Sequence, residues 1–486
     1  MSGGTAALAS ALCGALLLQV AAPRAGATAG AAPQAVPAAG GALAHAILKQ
    51  LVEINTTDSV GNVTTAAEAL AQRFLAAGYP VADVVVAGPN DRKKNLVVRL
   101  HGSGRHRPVL LMGHLDVVEA RREDWSTDPF KLIEKDGYFY GRGTLDMKGP
   151  DAIAAAAMIR LKQEGFRPAR DVILALTADE EGGCCNGMKW LLSTHRELVD
   201  AEFALNQDDY SVIPENGRPL YFRIDASEKL YADYQLEVTS PGGHSSEPVP
   251  DNAIYTLTHG LDRLAAYGFP FELNNVTRAY YERMSAMVGG ERGAEMRGVL
   301  QTSPGDDPSR RGRGTQEDYW VTHTTCVATR LEAGHANNAL PQRAQAVVNC
   351  RILPGHSPQE VQRTLRTVVA DPQIKVRYIT SDGRVFDRAP ASEAFAPPPL
   401  LPQMLTPLEK LVDETWPKLK VIPFMSPGAS DAVHTSAAGI PTYTFAPLAV
   451  DPRDDREHGR DERLGIDTFY QGNEFLRRYL MQLTAQ

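Results

Sequence analysis

His114 and Asp116 stand two residues apart in GHLDVV, directly after the apolar run Pro108–Met112. On an extended backbone such residues point to the same side. A carboxylate placed there can hold the far nitrogen of the imidazole and leave its other nitrogen for a metal ion, although an ordinary loop ion pair has the same spelling. Asp146 lies in GRGTLDMKG, a glycine-flanked loop that precedes a helix. Its two oxygens suit a bridge between cations roughly 3.5–4 Å apart; alone, it would equally cap the helix. Glu180 and Glu181 in TADEEGG follow the apolar run Val172–Thr177. Adjacent carboxylates at an apolar strand end repel unless a cation compensates them, the alternative being a solvated acidic turn. ALNQDDYS repeats the strand-then-acid pattern, with Asp208 the preferred ligand and Asp209 the alternative. His458 falls in the polar loop REHGRDERL, where a histidine on its own would simply be solvated. Together the five segments supply a mixed nitrogen and oxygen donor set, which suits zinc or a similar divalent ion at a two-metal centre.

These residues need a scaffold that gathers them. Helical spacing covers Ala42–Asn55, Thr64–Gly78 and the Ala-rich 149–165 stretch, while Asn95–Leu100, Pro108–Met112, Val172–Thr177 and Glu202–Leu205 read as buried strands. Alternating strands and helices predict an α/β unit with a mixed, mostly parallel sheet flanked by helices. In such sheets ligands bind beyond the carboxyl ends of strands, where the acidic segments fall. From Lys229 the pattern changes. Tyr231–Thr239, Asn252–Leu264, Val321–Leu331, Gln345–Ile352, Pro358–Val369 and Ile374–Ile379 predict the order β-α-β-β-α-β of a ferredoxin-like unit. A polar segment from Phe269 to Asp318 is expected to interrupt it irregularly. After the Pro-rich joint APASEAFAPPPL the α/β pattern resumes with Leu405–Thr415, Val421–Phe424, Thr442–Phe445 and Asp467–Leu483. The expected division is a leader and Pro/Ala-rich tether (1–41), a first catalytic part (42–228), an inserted α+β lid or dimerisation domain (229–382) and a second catalytic part (383–486).

The 486 residues are 43% apolar and 22% charged, enough for large cores, and the net charge of −8 leaves no basic field for nucleic acid. Thr5–Ala22 is apolar and uncharged and is followed by small residues, the pattern of a secretory signal. Export to the periplasm or outside the cell is therefore expected, with a cytoplasmic location if the leader does not function and no stable membrane association beyond it. Buried thiols are the expectation for the cysteines, including the adjacent Cys184 and Cys185. Cys326 and Cys350 flank a turn symmetrically and could be bonded across two strands in an oxidising compartment.

Spaced in this order from about Ala42 to Leu483, the motifs resemble the co-catalytic zinc metallopeptidase and aminoacylase family. That family includes glutamate carboxypeptidase, carnosinase-type dipeptidases, aminoacylase and succinyl-diaminopimelate desuccinylase. The resemblance implies two zinc ions (cobalt or manganese in their place), with His114 and Asp208 on one, Glu181 and His458 on the other, and Asp146 bridging. It implies Glu180 as general base and Asp116 as the group orienting His114. SPGGHSS matches the loop whose histidine, here His244, helps stabilise the tetrahedral intermediate and in dimeric members enters the partner's site. Asn338 and Arg351 in NNALPQRAQAVVNCR match substrate-binding positions, and PGASDA puts Gly428 beside substrate. The planar fork of Arg351 suits a substrate carboxylate. The implied activity is hydrolysis of the amide bond in small peptides, of dipeptidase or carboxypeptidase type, or alternatively of N-acyl amino acids, with a homodimer through residues 229–382. Met147 stands where many members carry a second Asp, and ALNQDDYS departs from the usual form of the fourth-ligand segment. Two rivals are weaker: a metal-retaining binding protein does not need Glu180 beside a ligand, and a serine hydrolase lacks a G-x-S-x-G elbow.

Overall fold

The computed structural model describes residues 39–485 apart from 216, 303–314 and 392–393. The leader, Cys13 and the segment SPGDDPSRRGRG lie outside the described residues. No described helix is long and apolar enough to cross a membrane.

A large mixed sheet runs in the order Val84–Ala87, Asn95–Leu100, Arg170–Thr177, His106–His114, Phe203–Asn206, Thr442–Thr444, Arg218–Glu228, Val421–Ser426, with Val212–Glu215 added beside Arg218–Glu228. Three central strands are parallel, and their register aligns His114 with Thr177 and Met112 with Asn206. Their carboxyl ends therefore share one edge, which delivers the loops after His114, Thr177 and Asn206 to one place. These strands are buried along most of their length, as their unbroken apolar runs require. Lys148–Gln163 packs on the sheet with nearly every residue buried; its run of alanines lets neighbouring elements approach closely, and Pro150 falls in the first turn, where a missing N–H costs little. Ala39–Val52 and Ile466–Thr484 close this layer.

The second sheet runs Thr325–Ala333, Arg343–Ile352, Leu230–Thr239, Lys375–Ile379, Val385–Phe386. Helices Ala253–Ala266 and Pro358–Val369 cover one face over a core that includes Leu230, Tyr234, Leu236, Val348 and Leu365. The strand order is that of a ferredoxin-like unit with one added strand.

Two local expectations fail. The described part of 269–318 is helical, with Asn275–Val288, Gly290–Leu300 and the start of Gln316–Thr322. Its polar composition hid Val276, Tyr280, Tyr281 and Met284, one buried stripe at helical spacing, and the Asn274–Thr277 capping box that starts it. This hairpin packs on Val421–Ser426 and joins the core of the large sheet. The strand expected from Val321 begins only at Thr325, because Thr315 and Asp318 form a capping box that winds Gln316–Thr322 into a helix. Cys326 and Cys350 lie opposite each other in the strand pairing and are bonded. Cys184 and Cys185 are bonded to one another, and Cys184 is exposed, so the expectation of buried thiols fails for that pair.

Candidate metal centre

His114 ends its strand fully buried. Its Nδ1 lies 3.1 Å from the Asp116 carbonyl oxygen and 3.7 Å from the Asp116 carboxylate. The backbone carbonyl thus takes the place expected for the side chain. The Asp116 carboxylate instead accepts the Glu180 and Glu181 N–H groups at 3.2 and 3.0 Å, pinning the acidic turn to the strand end. With Nδ1 donating to a carbonyl, His114 presents Nε2 as a lone pair. That atom is 3.1 Å from Asp146 Oδ1, 3.5 Å from Asp208 Oδ1 and 4.0 Å from Glu180 Oε2. His458 Nε2 lies 2.9 Å from Asp146 Oδ2 and 2.9 Å from Glu181 Oε2. Each oxygen of Asp146 therefore faces a different imidazole.

The loops are built for these positions. His458 adopts φ 57°, a left-handed conformation in which His, Asn and Asp are over-represented among non-glycine residues, and Asp179, just before the Glu pair, does the same. Lys93 and the Cys185 N–H group anchor the Asp179 carboxylate. A Cβ on Gly113 would stand 2.5 Å from both Asp151 Oδ1 and Met147 Cε, so a larger residue at the strand end would have to displace these two side chains. Met147, the departure noted in the sequence, has its sulfur 3.2 Å from the His114 backbone nitrogen. Asp208 reaches the cluster, whereas Asp209 forms an ion pair with Arg223.

Glu462 was not singled out from the sequence. It is fully buried and accepts N–H groups of Gly143, Leu145 and Asp146 at 2.9, 2.8 and 3.0 Å and the Arg142 guanidinium at 2.7 Å. Its partners are backbone groups some 320 residues earlier, so only its place four residues after His458 could have flagged it. Asp431, also unflagged, accepts Thr177 Oγ1 at 2.7 Å and Asn186 Nδ2 at 2.6 Å, fastening the loop Gly428–Asp431 to the acidic turn.

Burial pushes the Asp116 carboxyl up to about 6 and Glu181 up to about 7, against the pull of neighbouring donors. Burial, reinforced by Asp208, raises Glu180 well above the carboxylate range. Burial works against charge on Asp146, yet the two imidazoles outweigh it and hold that carboxyl below its ordinary value. Hydrogen bonds to Asp146 and Glu181 push His458 up to about 10. The crowded acids thus draw positive charge into the cluster. His114, Asp146 and Glu181 offer ligand atoms within 4.8 Å of one another, as do His114, Glu180 and Asp208. The buried Oδ1 of Asp146 has no hydrogen-bond donor among the described residues. The donor set fits divalent cations.

A cavity of about 920 Å³ opens from the cluster, with Glu180, Glu181, Ser430, Asp431 and His434 on one wall and Tyr231, Arg351, Tyr378, Ile379 and Phe386 on the other. Arg351 lies over the Tyr231 ring at 4.8 Å. Gly428 is one residue outside the lining, its N–H donating to Ser426 Oγ at 3.1 Å. His244 and Asn338 do not line the cavity. They sit together on the small ribbon formed by Gly243–His244 and Ala339–Leu340, where Ser245 N–H donates to the Asn338 carbonyl at 3.1 Å.

A family model described as peptidase family M20/M25/M40 matches residues 110–482. The human N-fatty-acyl-amino acid synthase/hydrolase PM20D1 is 28% identical over 372 residues, covering 75% of this chain and 71% of that protein. The probable carboxypeptidase S-like 2 of Dictyostelium discoideum is 28% identical over 392 residues, covering 76% and 70%. Among solved structures, the M20 family metallo-carboxypeptidase Sso-CP2 from Sulfolobus solfataricus superposes with a TM-score of 0.67 at 16% identity, covering 91% of this chain and 99% of the other.

Proposed function

Because the chain belongs to peptidase family M20/M25/M40 and is a metal-dependent amide hydrolase, we propose that it uses two zinc ions to cleave the amide bond of small peptides that end in a free carboxylate. His114 and Asp208 would hold one ion, Glu181 and His458 the other, and Asp146 would bridge; cobalt or manganese would serve in place of zinc. The observation that carries this reading is the division of Asp146, Oδ1 toward His114 and Oδ2 toward His458.

When bound, divalent ions there supply Lewis-acid polarisation of a carbonyl and acidify water. Glu180, raised by burial and beside the cluster, accepts a proton from the attacking water and passes it to the leaving amine. Asp116 keeps Glu180 and Glu181 aimed through their backbone N–H groups. Arg351 takes the terminal carboxylate, and Gly428 stands next to Ala429 of the cavity wall. Asn338 and His244 lie away from the cavity of their own chain, which supports a reading in which a second copy brings them to it. The edge strand Thr325–Ala333 supports such a homodimer through residues 229–382, since Val327 and Leu331 on it are exposed. The bonded Cys326 and Cys350 support an exported protein.

A second reading, hydrolysis of N-acyl amino acids, is favoured by the apolar part of the cavity wall, Leu230, Tyr378, Ile379, Phe386 and Val433, and by the similarity to the N-fatty-acyl-amino acid enzyme. Activity on a panel of dipeptides, carboxypeptidase substrates and N-acyl amino acids, with bound metal counted, decides between them. Inactivity across the panel with two metal ions bound would reject both.

A further inference from the structure

Lys229 joins the strand Arg218–Glu228 to the strand Leu230–Thr239, where the chain leaves the large sheet for the small one. Its side chain is fully buried, and its ammonium has no hydrogen-bond partner among the described residues. The adjacent carboxylate does not serve it. Glu228 is engaged by Ser430 N–H and Oγ, both at 2.8 Å, and by Thr444 Oγ1 at 3.0 Å. Burial and repulsion from Arg351 together push the ammonium down to about 7.

Arg351 stands opposite Tyr231 in the strand pairing and lines the cavity. It forms no ion pair among the described residues. Asp233, the acid that acts on it, is engaged by Tyr231 OH at 2.7 Å and Asn349 Nδ2 at 2.8 Å. A buried unpaired ammonium is costly, and a second cation beside it raises the cost. Arg351, a cation on the cavity wall that the protein leaves without a carboxylate, suits that wall to an anion, across the cavity from Glu180 and Glu181, and the buried Lys229 is a second unpaired cation close behind it in the chain pairing.

We propose that Lys229 is a positioning residue for substrate specificity, a buried positive charge behind Arg351 that sets the preference of the cavity for substrates ending in a free carboxylate. This rests on the amide hydrolysis proposed above. Lys229 does not line the cavity and acts through Arg351. Below about pH 7, where it is protonated, its charge raises the positive potential at the guanidinium, and in a desolvated setting that potential is weakly screened. Without a protein carboxylate to satisfy it, Arg351 keeps its fork for the substrate.

The test uses N-acetylphenylalanine and its C-terminal amide as probes on the metal-loaded full chain. At about pH 6, where Lys229 carries its charge, KM for the acid rises about tenfold in Lys229→Met with kcat within about twofold, while KM for the amide is unchanged. Lys229→Arg, which keeps the charge, stays near the parent. Calorimetric Kd values for both probes in a Glu180→Gln background read the same preference without turnover. An acid-to-amide preference equal in the parent and Lys229→Met overturns the role of Lys229 and leaves hydrolysis standing if the parent turns over. A preference lost in Lys229→Met, in a parent that hydrolyses neither these probes nor any peptide, keeps the role and overturns the hydrolase reading. A parent with no preference for the acid overturns the role outright.

Discussion

Asp146 is held in place by Glu462, whose Oε1 accepts the Asp146 backbone N–H at 3.0 Å. The same carboxylate takes two further N–H groups of this loop and the Arg142 guanidinium, so one buried acid shapes the segment that carries the proposed bridge. Glu462→Gln keeps the size but replaces an acceptor with a donor. Metal affinity should fall about 10–100-fold, as is typical when support for a ligand is lost. Competition against a chelating dye measures it, and an unchanged affinity would show that the loop holds its shape without this charge.

Glu180→Gln should retain both metal ions and lose activity by about 10²–10⁴-fold, the usual contribution of a general base. Elemental analysis alongside steady-state kinetics checks both halves. Near-normal turnover with full metal content would remove Glu180 from the proton path.

Chelation should abolish hydrolysis and lower the melting temperature, because a ligand bound only by the folded state stabilises it by about 4 kcal/mol at 1,000 times its Kd. Without cations, Glu180, Glu181, Asp146 and Asp208 are left to repel one another. Readdition of zinc should restore both readouts. Hydrolysis that survives complete metal removal would revive a metal-free mechanism.

Lys229 also sets a pH dependence of stability. Its ammonium is pushed down from 10.5 to about 7 in the folded chain, so between those values the unfolded chain binds more protons. Stability contributed by this group therefore rises with pH across that window. Lys229→Met removes the effect. Its gain over the parent should be largest at and below about pH 7 and shrink toward about pH 10. Urea midpoints across this range test it, and a gap that does not change with pH would contradict the assignment.

Three of the five segments, those of His114, of Glu180 and Glu181, and of Asp208, could be read from the sequence because each follows an apolar run, and parallel strands bring their carboxyl ends to one edge; Asp146 and His458, in polar loops, stood out only in company with these. Periodicity reported the strands, and the motifs reported the chemistry. What escaped was contact set by distance in space. Glu462 binds backbone groups, which carry no sequence signature. Asp116 carries a side chain suited to His114, yet its own carbonyl is nearer, and its carboxylate turns to the Glu180–Glu181 turn. The sequence favours Asp208 over Asp209 but carries no sign that Arg223 pairs with Asp209. The helix Asn275–Val288 was obscured because its buried stripe relies on Tyr280 and Tyr281 amid charged neighbours, a composition that reads as surface.

The helical hairpin within 275–300 alters how the two sheets can move relative to each other. Phe269 belongs to the small core and Phe271 to the large one; the chain returns through Val321 and Thr325. Counting the passages at Lys229 and after Ala389, four stretches of backbone cross between the bodies, where a plain insertion would have two. Any shift of one sheet against the other would have to be taken up at all four crossings. Four connections, rather than two, tether the small sheet to the large one.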